Sequence, residues 1–210
     1  VQFKTVSRGP ADLVALLYTS GTTGRSKGAM LSHDNLLSNA QALTDLWQIS
    51  SADRLIHALP IFHTHGLFVA MNTALLAGAT VRLMAQFDVD QVIAEIPSSS
   101  LLMGVPTFYT RLLGDTRLTQ GLTKNMRLFV SGSAPLLAET HVEFTARTSH
   151  YILERYGMTE TNMITSNPYD GFRRAGTVGM PLPGTEVIIS DPEMAFSSPV
   201  TLGLSMIRDI

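Results

Sequence analysis

The residues best equipped for chemistry begin with one short run, Tyr18-Thr19-Ser20-Gly21-Thr22-Thr23-Gly24-Arg25-Ser26-Lys27-Gly28. Glycines let backbone N–H groups turn toward an anion, the hydroxyls of Thr19, Ser20, Thr22 and Thr23 add donors, and Lys27 adds a point charge. That set suits a triphosphate. The spacing differs from a P-loop, because Gly21 and Gly24 are close together and no Ser or Thr follows Lys27. A P-loop phosphotransferase is therefore disfavoured. By composition alone the run suits a flexible surface loop equally well.

Three further groups stand out downstream. Ser131-Gly132-Ser133-Ala134-Pro135 follows an apolar stretch, and a glycine there marks a loop at a strand's carboxyl end, where open α/β sheets bind ligands. Glu154-Arg155-Tyr156-Gly157-Met158-Thr159-Glu160 offers a tyrosine face for a base, a Thr159 donor for phosphate and a Glu160 oxygen for Mg²⁺. Standing alone, it reads as a strand end with ordinary turn residues. In Leu59-Pro60-Ile61-Phe62-His63-Thr64-His65-Gly66, two histidines stand one residue apart. Without a cysteine or a nearby third ligand, zinc is disfavoured. Lastly, Arg111 sits on a helix starting at Pro106 whose apolar stripe is Phe108, Tyr109, Leu112 and Leu113. At roughly 130° from the stripe's centre, Arg111 points by periodicity to solvent.

The elements that must position these groups alternate along the chain. Apolar runs predict strands at 13–18, 55–59, 79–84, 101–104, 127–130 and 151–153, the first buried on both faces. Helices are expected at 66–77, 88–96, 106–114 and 136–148. Another starts near Ser32, Asp34 or Asn35, with Leu36, Leu37, Ala40, Leu43 and Trp47 inward. The order implies an α/β fold with a largely parallel sheet flanked by helices. Strands ending near Tyr18, Val130 and Leu153 are expected to share one sheet, with their loops at one edge.

Bulk properties narrow the partners. The formal net charge of -2, with no basic tract, argues against nucleic acid or an anionic membrane. The absence of cysteine excludes disulfides and thiolate chemistry and fits a reducing, cytoplasmic setting. The most apolar run, 66–81, carries Asn72 and Thr73 and falls short of the roughly 20 residues that span a bilayer.

Taken together and in order, these motifs resemble the acyl-adenylating superfamily of acyl-CoA synthetases, peptide-synthetase adenylation domains and luciferases, over about residues 12–193. The stretches around Arg111, 127–137 and 153–162 are similar to malonyl-CoA synthetases. The resemblance implies the central part of a large N-terminal domain that uses ATP, Mg²⁺ and coenzyme A. It implies phosphate contacts from Thr19 through Gly24 and from Lys27, with adenine bordered by Ser133, Ala134, Pro135 and Tyr156, and with Glu154, Arg155 and Gly157 also in the nucleotide site. It further places Thr159 on the α-phosphate and Mg²⁺ on Glu160 with Thr19. His63, Met158, Arg111 and Ser133 would line the acyl pocket, with Arg111 and Ser133 receiving malonate's distal carboxylate. The superfamily's later motifs and C-terminal domain are not found in these residues. The expectation is a partial domain at 1–193, a weakly ordered or non-native tail at 194–210, a missing remainder of the chain, and no activity from this chain alone. Open alternatives are a ligase for methylmalonate or a short monocarboxylate, and a truncated non-catalytic nucleotide binder.

Overall fold

The computed structural model describes residues 3–19 and 26–188. Ser20, Gly21, Thr22, Thr23 and Gly24 of the phosphate run, and the 194–210 tail, lie outside the described residues.

Seven strands form the main sheet: β3 (Arg54–His57), β4 (Thr80–Leu83), β5 (Leu101–Gly104), β6 (Leu128–Ser131), β7 (Leu153–Met158), β8 (Asn162–Ser166) and β9 (Met180–Pro181). Their spatial order is β4-β3-β5-β6-β7-β8-β9. The first five are parallel, and β8 and β9 add antiparallel. β5 and β6 are buried along their whole length, as continuous apolar runs in a covered parallel sheet must be. The helices are α1 (His33–Leu46), α2 (Asn72–Leu76), α3 (Val89–Glu95), α4 (Pro106–Leu113) and α5 (Ala138–Thr148). A π-helical turn, His65–Met71, runs directly into α2. The order in which strands are added reverses at β3, since β4 lies on one side and β5 on the other. Right-handed crossovers travelling in opposite directions place their helices on opposite faces, and the reversal opens a crevice at the strands' carboxyl ends.

The opposite edge is pinned by charge. Arg127 meets Asp53 through Nε and Nη2 at 2.7 and 2.6 Å, while Ser100 Oγ donates to the same carboxylate at 2.7 Å and Ser50 N–H at 2.8 Å. Burial alone would raise the Asp53 carboxyl; the Arg127, Ser100 and Ser50 hydrogen bonds outweigh it and hold it at about 2. This node ties together the starts of β3, β5 and β6.

The first strand departs from the sequence expectation. β1 (Leu13–Thr19) does not enter the main sheet but forms a two-stranded antiparallel hairpin with β2 (Lys27–Ser32), which the sequence reading missed. Nor is it buried on both faces: Leu16 and Tyr18 are exposed. The cause is loop length, because a parallel return needs a crossover of a dozen or more residues and the chain turns back well within that. The strands expected to end near Val130 and Leu153 correspond to β6 and β7, which are neighbours in one sheet. β8 and β9 were also missed. β7 starts at Leu153 and continues through the Glu154–Met158 motif, so the motif is strand and not the loop after one. Of the candidate caps, Ser32 closes α1 in a capping box with Asn35. Leu36, Ala40, Leu43 and Trp47 point inward as expected, whereas Leu37 is exposed.

Candidate functional site

A cavity of about 490 Å³ opens at the carboxyl ends of the parallel strands. The loop after β3 contributes Leu59, Pro60 and His63 through Gly66; the β5–α4 junction contributes Val105 and Phe108. Ser133 arrives after β6, and Arg155, Gly157, Met158 and Thr159 from β7 and its turn. Thus Ser133, Met158, Thr159 and His63, separated by up to 96 positions in sequence, share one cavity because parallel strands end at one edge.

Arg155 is the decisive side chain. It is 3% exposed, it lines the cavity, and its Nε and Nη2 are buried without a hydrogen-bond partner among the described residues. Burial lowers its guanidinium to about 10, which leaves it charged at neutral pH. It lies flat on Gly132, where an added Cβ would stand 2.4 Å from the Arg155 Cζ. Ser133 follows in a left-handed conformation, φ 70°, which turns its hydroxyl to within 3.2 Å of His65 Nδ1. His65 is buried, and burial, then the charge of Arg155, then His57 push its imidazole well below the usual range. His65 is therefore neutral, and its Nε2 has no partner among the described residues.

The expected site residues stand at different depths around the cavity. The histidine that meets Ser133 is His65; His63 is exposed at the rim, its ring 4.7 Å from Phe62. Arg155 lines the cavity, and Glu154 is turned into the interior. There its Oε1 accepts from Gly176 N–H at 3.2 Å and faces His141 Nδ1 at 3.4 Å. Strand alternation is the reason, since neighbours on β7 point to opposite faces. Arg111 is not in the cavity lining. It is exposed, with its guanidinium 4.8 Å from the Phe87 ring, and Phe87 stacks on the cavity residue Phe108. Helical periodicity located it correctly. Tyr156 is half-buried, and Ala134 and Pro135 are exposed beside Ser133.

The hairpin still reaches the site. Thr19, at the end of β1, places Oγ1 3.4 Å from Glu160 Oε1, and Thr19 pairs across the hairpin with Lys27. A hydroxyl and a carboxylate so close are hard oxygen donors of the kind Mg²⁺ takes alongside substrate phosphates. Among the described residues no cluster of three or more His, Cys, Asp or Glu side chains is found.

Comparison with known proteins agrees with this geometry. The AMP-binding enzyme family model matches residues 2–201. Malonate–CoA ligase of Arabidopsis thaliana is 38% identical over 202 residues, covering 87% of this chain and 33% of the ligase. ATP-bound MatB of Rhodopseudomonas palustris superposes with a TM-score of 0.91 at 58% identity, covering 95% of this chain and 40% of that one. A malonyl-CoA ligase complex with methylmalonyl-CoA and AMP gives 0.80 at 40% identity, covering 86% of this chain and 40% of that one. The chain spans about a third of the length of the curated relatives it matches. With the motifs, the parallel sheet and the family match all in register, the chain belongs to the AMP-binding enzyme family.

Proposed function

We propose that this chain carries the nucleotide- and acyl-binding part of an AMP-forming acid–CoA ligase whose acid is malonate. The observation that carries the reading is Arg155, buried in the cavity wall with its Nε and Nη2 unpartnered among the described residues. A cation buried with nothing opposite is costly, and a carboxylate is its geometric complement, able to take two parallel N–H donors. Malonate brings one carboxylate to react and a second to be held. A monocarboxylate would leave Arg155 unpaired. Ser133, oriented by its left-handed backbone, and the neutral His65 stand beside the same position.

In the proposed reaction, one malonate oxygen attacks the α-phosphorus of ATP. The new P–O bond forms as pyrophosphate leaves with the electrons of the broken one. The thiol of coenzyme A then adds to the acyl carbon, loses its proton and expels AMP. Thr159 is in the cavity lining and would hydrogen-bond the α-phosphate. Thr19 and Glu160 would hold Mg²⁺, which neutralises phosphate charge. Alignment and charge neutralisation are the main demands on the first step. The relatives named malonate–CoA ligase, and neighbours holding ATP or methylmalonyl-CoA with AMP, support the reading. Methylmalonate is a second acid within it, since Met158 and Met163 give the cavity an apolar wall beside the polar one.

Calorimetric titration of the chain with malonate, methylmalonate and propionate, with ATP and Mg²⁺ present, tests the proposal. Malonate is expected to bind at least about a hundredfold more tightly than propionate, the scale of leaving a buried charge unpaired. Arg155→Met should erase that preference. Arg111→Ala should weaken malonate less than Arg155→Met does, because the Arg111 guanidinium must first leave the Phe87 ring. Equal affinity for malonate and propionate would overturn the assignment.

A further inference from the structure

Behind the cavity lies a histidine that the reaction does not use. His57 ends β3, is 0% exposed, and is not part of the cavity lining. Its Nε2 stands 2.9 Å from the carbonyl oxygen of Gly66. A carbonyl only accepts, so Nε2 carries the proton and donates. Nδ1 then holds a lone pair and is buried with no partner among the described residues. A second proton there would have nothing to bond, so the ring is a fixed, neutral donor.

Gly66 is held from a second side as well. An added Cβ would stand 2.2 Å from the Pro60 carbonyl oxygen, so the chain approaches as closely as only glycine allows. The peptide next to His65 is thus gripped between Pro60 and His57. This grip falls at the start of the His65–Met71 π-helical turn. A π turn is less regular than an α-helix and needs outside support to keep its register. Its first residue, His65, is the one that meets Ser133 at 3.2 Å.

We propose that His57 is a positioning residue for the acyl site: its bond to the Gly66 carbonyl fixes the π turn in the register that aims His65 at Ser133 and the cavity. This rests on the malonate reading for its consequence, but not for its geometry. His57 reads the backbone, and the backbone delivers the side chain. Losing the donor lets the turn relax toward ordinary α-helical bonding, which rotates His65 away from Ser133.

The test uses the 210-residue chain with ¹⁵N-labelled histidine rings and three variants. His57→Phe keeps a ring and removes the donor, His57→Gln keeps an amide N–H at similar reach, and His57→Asn keeps the amide but falls short. Melting temperature, the ring nitrogen shifts of His65 and malonate affinity are measured on each. The Phe and Asn variants are expected to move the His65 signals and weaken malonate about tenfold, the scale of one hydrogen bond in a binding site. His57→Gln should restore both to near wild type. If the Phe variant does not fold, the Gln and Asn pair decides the question by itself. Wild-type His65 signals in Phe or Asn would overturn the proposal, as would a Gln variant no better than Asn. Failure of the wild-type chain to bind malonate would refute the functional reading instead, and the His65 signals would still judge His57.

Discussion

Replacing Arg155 by methionine should make the ligand-free chain more stable while removing its hold on malonate. Most substitutions at buried positions destabilise, so the sign is diagnostic. Burial lowers the guanidinium to about 10, with no partner among the described residues to offset it. That fall corresponds to about 3 kcal/mol at 1.36 kcal/mol per tenfold change. Methionine fills part of the space, lies against Gly132 without charge, and forfeits some contacts, so a net gain of about 1–3 kcal/mol is expected. For a chain of this size that raises the melting temperature by about 2–10 °C. Malonate affinity should fall about a hundredfold or more in the same variant, since its distal carboxylate then has no cation. Differential scanning calorimetry without ligand, followed by malonate titration, reads both numbers. A variant that melts lower than wild type and still binds malonate normally would show that Arg155 is a packing residue, and the reasoning would fail.

Gly132→Ala should push Arg155 out of place, because the new Cβ would stand 2.4 Å from Cζ; malonate affinity is expected to drop at least about tenfold with nucleotide affinity little changed. Acid should destabilise the chain in two windows, followed by urea midpoints between pH 7.5 and 2. His57, His65 and His150 are all lowered, chiefly by burial, so the unfolded chain takes up protons first. Stability is full above about 6.5 and is lost as pH falls toward the folded values, at up to about 1.4 kcal/mol per pH unit for each histidine. His65→Leu should flatten that slope. The Asp53–Arg127 contribution, present above 3.8, should vanish only as pH falls through about 2. Glu160→Gln should weaken the Mg²⁺ dependence of ATP binding, measured by titration at several Mg²⁺ concentrations, since it removes a charged oxygen beside Thr19.

The strand–helix alternation, and with it the parallel sheet and its ligand-bearing edge, was legible in the sequence because hydrophobic period reports local structure directly. So were Ser133, Met158 and Thr159 as members of one site, and the solvent-facing direction of Arg111, which helical phase alone decides. The sequence did not show that residues 13–19 leave the main sheet for a hairpin. Their apolar run looks the same whether or not another layer covers it, and only the short return to Lys27 hinted otherwise. β8 and β9 carry too little pattern to be seen at all.

What the sequence determined by itself is the set of groups and the strand ends that carry them. What only the tertiary structure decided is which of two neighbouring residues makes each contact at the cavity. His65 and not His63 meets Ser133, because a π turn clamped by His57 and Pro60 sets that register. Arg155 and not Glu154 lines the cavity, because β7 presents alternate residues to opposite faces and the pairing with β6 selects the face. On β7 a shift of one residue would reverse the choice, and no local propensity distinguishes the two faces; the packing of β7 against β6, more than twenty residues earlier, decides it.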